Sequence, residues 1–112
     1  MNGRMSLLVY PAKDMASAKT LFKALLGVEP YADAPYYAGF RTGDLEIGLD
    51  PNGRSGGPIA YWEVEDIGAG LRLLVDAGGQ TVQDVKDVGG GLLIATVTDA
   101  AGNTLGLRQP PS

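Results

Sequence analysis

Apolar positions along the chain follow a strand period and then a helix period. Residues 6–10, SLLVY, form a short apolar run that predicts a strand. Residues 13–27 predict an amphipathic helix, with Asp14 suited to its N-cap and Gly27 to the left-handed position after its last turn. The apolar stripe of this helix consists of Met15, Ala18, Phe22, Leu25 and Leu26.

Two further strands follow this helix, and from residue 59 the order of strand, helix and strands recurs. Residues 35–41 and 44–50 predict two strands joined by a tight turn at Thr42-Gly43. A strand at 59–64 is followed by a helix that Asp66 begins and Gly78-Gly79 ends. Ile67, Gly70, Leu71 and Leu74 share one face of that helix. Three further strands are predicted at 81–85, 92–98 and 103–108.

The spacing of caps and closing glycines indicates an internal repeat. Asp14 and Asp66 are 52 residues apart, and so are Gly27 and Gly79. The sequence therefore predicts one α+β domain over residues 1–112, in which a βαβββ module is used twice. Module one spans about residues 5–50, module two about 59–109, and the Gly- and Pro-rich residues 51–58 form the linker.

Composition excludes several classes of function. The chain has no cysteine and no histidine, so it has no thiolate site, no Cys nucleophile and no imidazole ligand or base. Its net charge is −4 and its basic residues are scattered, which argues against nucleic acid or an anionic membrane as a partner. No apolar run approaches the ~18 residues of a membrane span, and no signal peptide is recognisable, so a cytoplasmic location is expected.

The order of four segments resembles the vicinal oxygen chelate superfamily, which includes glyoxalase I, bleomycin-resistance proteins and extradiol dioxygenases. The segments are VYPAKDMASAKTLFKALLGVEP, EVEDIGAGLRLLVDAGG, KDVGGG and TDAAGNTLGL. The resemblance covers roughly residues 5 to 109. It implies two βαβββ modules forming a curved mixed sheet around a cavity, with the helices outside.

The resemblance also implies where a divalent metal would be bound. The positions that hold His or Glu ligands in the superfamily fall on Leu7, on Ile59, on Gly106, and on Gly48 or Glu46. Hydrocarbon side chains and glycine cannot coordinate a cation, and one Glu is too few ligands. We therefore expect a member that binds no metal and needs no cofactor.

Strand alternation, followed from those positions, predicts which side chains face the cavity. Trp62 is expected in the core, and Gly48 and Gly106 are expected to leave open space for a ligand. The predicted ligand-binding residues are Leu7, Val9, Tyr37, Arg41, Glu46, Gly48, Ile59, Tyr61, Glu63, Thr104 and Gly106.

Three functions fit these expectations. The first is a metal-free binding protein that sequesters a small apolar or aromatic molecule, as a homodimer with possible exchange of modules. The second is a metal-independent isomerase or lyase, with Glu46 or Glu63 as base and Tyr61 or Tyr37 as acid. The third is a structural or regulatory dimer with a vestigial cavity.

Overall fold

The structure, a computed structural model, describes residues 1–53 and 56–112. It contains ten elements that fall into two compact units. The N-terminal module comprises residues 6–59, and the C-terminal module comprises residues 60–112 together with residues 1–5. The elements in chain order are β1 (Arg4–Pro11), α1 (Met15–Leu26), β2 (Ala32–Ala34), β3 (Tyr37–Thr42), β4 (Leu45–Asp50), β5 (Ile59–Glu63), α2 (Ile67–Asp76), β6 (Gln80–Asp87), β7 (Leu93–Thr98) and β8 (Thr104–Gln109).

This order is βαβββ twice, which confirms the predicted α+β fold class. Each module carries four strands, in the order β2-β3-β4-β1 in the N-terminal module and β5-β8-β7-β6 in the C-terminal module. Within each module the first and last strands pair in parallel, β1 with β4 and β5 with β8, and the other pairs are antiparallel. The helix between first and last strands is what permits this parallel pairing.

The core of the N-terminal module lies between α1 and one face of its sheet. Asp14 accepts a hydrogen bond from the Ser17 amide, and Gly27 has a φ of 70°, so both predicted caps of α1 are confirmed. Leu25 is 75% exposed, so its predicted place in the apolar stripe is wrong. The core contains Ala12, Ala38, Phe40, Ile47 and Leu49, with Leu8, Tyr10, Met15, Ala18, Phe22, Leu26 and Leu45 packed against it.

The core of the C-terminal module is built in the same way beneath α2. Ile67, Gly70 and Leu71 are the buried residues of this helix, as the periodicity predicts, and Leu74 packs against the same core. The sheet contributes Ala95, Val97 and Leu107, and Val64, which directly follows β5, completes this core. The Asp66 side chain accepts a hydrogen bond from the Ala69 amide and so caps the helix.

A second acceptor at the start of α2 comes from the end of the chain. The Gln109 Oε1 atom accepts a hydrogen bond of 2.8 Å from the Ile67 amide, one of the four N–H groups that a helix leaves unpaired. Gln109→Ala is expected to lower the free energy of unfolding by about 1 kcal/mol. Gln109→Glu, which keeps an acceptor and adds a favourable charge at a helix N-terminus, is the control. Urea unfolding measures both variants, and equal losses would contradict the capping role.

Three local expectations differ from the structure. The β3–β4 turn is Gly43-Asp44, between the partners Thr42 and Leu45, and lies one residue later than predicted. Strand β2 was not recognised, because three residues are too few to show a period. Trp62 is 38% exposed, so the prediction that it is in the core is wrong. The predicted linker, 51–58, includes Arg54 and Ser55, which lie outside the described residues.

Candidate functional site

The candidate site is the face of the N-terminal sheet that points away from α1. Alternate residues of a strand point to opposite faces. Since Ala38, Phe40 and Ile47 pack in the core, the residues between them lie on the other face. That face carries Tyr37, Gly39 and Arg41 on β3, Glu46 and Gly48 on β4, and Leu7 and Val9 on β1.

Two glycines face one another at the centre of this surface. Gly39 and Gly48 are cross-strand partners, and both are buried although neither has a side chain. A Cβ atom on Gly39 would lie 2.8 Å from the ring of Tyr31, and a Cβ atom on Gly48 would overlap with the ring of Tyr37. The two tyrosine rings therefore lie directly against bare backbone. Close approach of this kind is what glycine inside a strand permits.

The two side chains that fix the position of Tyr31 carry opposite charges. The Tyr31 hydroxyl donates a hydrogen bond of 2.5 Å to Oε1 of Glu46. The Cζ atom of Arg41 lies 3.9 Å from the centroid of the Tyr31 ring, a cation–π contact. Burial and the hydrogen bond to Glu46 raise the pKa of Tyr31 above its ordinary value of 10. Tyr31 therefore remains a protonated hydrogen-bond donor at neutral pH.

The corresponding face of the C-terminal module carries a third tyrosine over a glycine. Tyr61 and Gly106 are partners in the β5–β8 pair, and a Cβ atom on Gly106 would overlap with the Tyr61 ring. Thr104, half-buried, lies two residues earlier on the same face of β8. Glu63 pairs with Arg4 at 3.0 Å, and both side chains are substantially exposed. Such a surface pair contributes at most about 1 kcal/mol.

Tyrosine rings occupy the space that was expected to be open. The expectation that Gly48 and Gly106 leave room for a ligand is wrong, because Tyr37 and Tyr61 cover these positions. The N-terminal face brings together Leu7, Val9, Tyr37, Arg41, Glu46 and Gly48, whereas Tyr61, Glu63, Thr104 and Gly106 lie in the C-terminal module and Ile59 begins β5. Ligand contact by these residues stays a prediction.

Two cavities of about 370 Å³ and 470 Å³ lie elsewhere, in the C-terminal module. Both are lined by Asn2, Val64 and Glu65, next to the start of α2. Among the described residues predicted to form the site, Glu63 alone lines either of them. Neither cavity has an aromatic side chain among its described lining residues. The N-terminal face combines the Tyr31 ring with a carboxylate and a guanidinium group, so we place the candidate site there.

The family of the chain is shown by the match of most of its length to one family model. Residues 4–107 match the model of the Glyoxalase/Bleomycin resistance protein/Dioxygenase superfamily. The chain belongs to this superfamily. No curated protein sequence matches the chain significantly.

Solved structures show that the fold of this superfamily member is shared at low sequence identity. A hypothetical protein from Bacillus halodurans C-125 is similar with a TM-score of 0.80 and 13% identity, over 100% of this chain and 97% of that one. A glyoxalase/bleomycin resistance protein/dioxygenase superfamily member from Vibrio splendidus 12B01 gives 0.72 and 14%, over 96% and 98%. Methylmalonyl-CoA epimerase from Mycobacterium tuberculosis gives 0.69 and 17%, over 96% and 88%. At these identities the similarity shows the fold alone.

The residues of this superfamily member do not fit the divalent metal that the superfamily implies. Leu7 and Ile59 offer hydrocarbon, and Gly48 and Gly106 offer no side chain and have tyrosine rings against them. Within residues 1–53 and 56–112, no group of three His, Cys, Asp or Glu side chains is placed to hold a metal ion.

In the same part of the chain no helix is long and apolar enough to cross a bilayer.

Tyr31 is the site residue that no pattern in the sequence predicts. It lies just before β2, outside any periodic segment, and its amide donates a hydrogen bond of 2.9 Å to the Gly39 carbonyl. Periodicity therefore could not reveal it. The available signal was Gly39 itself, because a glycine inside a strand often marks the close approach of another group.

Proposed function

We propose that this superfamily member binds a small planar aromatic molecule on the N-terminal face, without a metal. The observation that carries the proposal is the cross-strand pair Gly39 and Gly48, against which the rings of Tyr31 and Tyr37 lie. Backbone without Cβ atoms presents a flat surface, and flat rings already occupy it. A planar ligand can pack against the Tyr37 ring, which is half-buried and therefore partly accessible.

The surroundings of the glycine pair have the composition of a small-molecule site. Leu7 and Val9 lie on the neighbouring strand, opposite Glu46 and Gly48, and add apolar surface. Glu46 and Arg41 add one acceptor and one donor group of opposite charge at adjacent positions. Binding sites are commonly apolar with a few polar groups that orient the ligand.

A panel of planar aromatic compounds tests this function. Neutral and cationic members, including cationic aromatic antibiotics, are added to the wild-type protein, and thermal shift and titration calorimetry are recorded. We expect at least one class to raise the melting temperature. Tyr37→Ala should weaken its binding by about fivefold, since an aromatic contact contributes about 1 kcal/mol.

The matched control for this experiment is Tyr36→Ala. Tyr36 precedes Tyr37 in sequence but is 72% exposed, so its removal should change affinity less than twofold. If no compound stabilises the wild-type protein and apolar dyes also fail to bind, the proposal is refuted. Equal losses in Tyr36→Ala and Tyr37→Ala would place binding elsewhere.

The contact between Tyr31 and Glu46 favours a second candidate, a metal-independent isomerase or lyase. Glu46 would act as the general base and accept a proton from the carbon next to a carbonyl group of the substrate. The Tyr31 hydroxyl, 2.5 Å from Glu46, would act as the general acid and donate a proton to the substrate. Tyr61 and Glu63 are less suited, since Tyr61 is only 9% exposed and Glu63 pairs with Arg4. Loss of substrate α-proton signals in deuterated water, followed by NMR, would detect the reaction. Equal exchange in Glu46→Gln and wild type would exclude Glu46 as the base.

Self-association is a separate proposal. The resemblance to homodimeric relatives supports a dimer, possibly with exchanged modules. Light scattering after gel filtration distinguishes a dimer from the 11.6 kDa monomer. A dimer in which no aromatic compound binds would instead support the structural role.

A further inference from the structure

Tyr31 occupies its position through four contacts of different kinds. Its ring lies against Gly39, its hydroxyl donates to Glu46, and Arg41 covers the ring. The fourth contact is the backbone hydrogen bond from the Tyr31 amide to the Gly39 carbonyl. The first three belong to the side chain alone.

The side chain of Tyr31 can leave this position without disturbing the backbone. Tyr31 is 43% exposed, so the ring borders solvent. Rotation about χ1 moves the ring and hydroxyl away from Gly39 while the amide hydrogen bond to the Gly39 carbonyl stays in place. Such rotations of exposed side chains take place in picoseconds to nanoseconds. Vacating the space over Gly39 therefore costs only the three side-chain contacts of Tyr31, and a bound ligand that makes the same contacts offsets that cost.

The contacts of Tyr31 describe the molecule that could take its place. The ligand must be a flat ring to lie against Gly39, must carry a hydroxyl donor for Glu46, and must present a π face to Arg41. A ligand carboxylate would be repelled by the negative charge of Glu46, and a cationic ligand would be repelled by the positive charge of Arg41. A neutral ring with one hydroxyl group avoids both repulsions.

We infer that the space over Gly39 is a subsite for phenolic compounds, which Tyr31 fills in the free protein. The inference rests on the proposed function and narrows its ligand class. A bound phenol lies against Gly39, donates its hydroxyl hydrogen to Glu46 and stacks under Arg41, while the Tyr31 ring turns into solvent. Aromatic compounds without a donor leave Glu46 without that hydrogen bond, so they bind less well.

Removal of the Tyr31 side chain tests this subsite directly. The variant Tyr31→Ala is titrated with 4-methylphenol, which is the tyrosine side chain as a free molecule, and with toluene and 4-methylanisole, which lack the hydroxyl donor. NMR titration and thermal shift report binding. We expect 4-methylphenol to bind Tyr31→Ala at least tenfold more tightly than either analogue. Adding Glu46→Ala should reduce that ratio to less than threefold.

Two further variants locate the binding and provide a control. Tyr31→Ala combined with Gly39→Ala should bind 4-methylphenol at least fivefold more weakly than Tyr31→Ala alone, because the new Cβ atom enters the subsite. Tyr36→Ala should bind it no better than wild type. If Tyr31→Ala binds toluene as well as 4-methylphenol, or binds neither better than Tyr36→Ala does, the inference is overturned.

A second variant keeps the test valid if Tyr31→Ala does not fold. Tyr31→Phe removes only the competing hydroxyl, so 4-methylphenol should bind this variant more tightly than it binds wild type. Equal or weaker binding would overturn the inference. The wild-type arm separates the two proposals: aromatic binding without preference for phenols retains the proposed function and rejects the subsite. Selective phenol binding by Tyr31→Ala, with no aromatic compound bound by wild type, would show that Tyr31 does not give way in the native protein and would overturn both proposals.

Discussion

Phe40→Ala is expected to lower the free energy of unfolding by about 3–5 kcal/mol. Phe40 is 0% exposed, and its ring centroid lies 6.2 Å from that of Phe22 on α1. Ile47, its cross-strand partner, is buried beside it in the same core. Removing the ring leaves a cavity between the helix and the sheet, which the surrounding side chains fill only in part. Urea unfolding followed by circular dichroism gives the change.

The size of this loss can be judged against two references. Small domains are stable by only about 5–15 kcal/mol, so the variant should unfold at a much lower urea concentration. Tyr36→Ala removes a ring of similar size from the surface and should change stability by less than about 0.5 kcal/mol. A loss under about 1 kcal/mol in Phe40→Ala would show that this core is not packed as described.

Gly106→Ala is expected to destabilise the C-terminal module by about 1–3 kcal/mol, although it adds only one methyl group. The new Cβ atom would overlap with the ring of Tyr61, which is 9% exposed and has little space to move into. Gly56→Ala serves as the control, since a Cβ atom on Gly56 meets no atom within 4 Å among the described residues beyond its neighbours in the chain. It should leave the free energy of unfolding nearly unchanged.

A double-mutant cycle identifies the cause of the Gly106 effect. In the Tyr61→Ala background the ring is absent, so Gly106→Ala should cost almost nothing there. The difference between the two backgrounds gives the coupling free energy, measured by urea unfolding. The same cost in both backgrounds would mean that backbone conformation, rather than the Tyr61 ring, requires glycine at this position.

This cycle also bears on the metal question. Gly106 stands where the resemblance places a metal-binding Glu, and the Tyr61 ring lies over the same position. A carboxylate side chain introduced at Gly106 would meet that ring first. Glycine at this position therefore goes together with the packing of a tyrosine, which explains why the position is closed rather than open.

Parts of the candidate site could be predicted because strand alternation is a local property. The face that carries Tyr37, Arg41 and Glu46 follows from the period of two once any core residue is assigned. The contact between Tyr31 and Glu46 could not be predicted in this way. Tyr31 lies in an irregular segment, so its ring direction depends on where β2 pairs with β3.

The sequence by itself determined the two helices, their caps, every strand except β2, the repeated order of the two modules and the absence of imidazole and thiol chemistry. These properties depend on local periodicity and composition, which need no information about distant residues. Only the tertiary structure decided that tyrosine rings lie against Gly39, Gly48 and Gly106, and that Trp62 and Leu25 are exposed. Those outcomes depend on strand register and on how far each helix extends over its sheet. Long-range packing determines both, and no local pattern in the sequence predicts them.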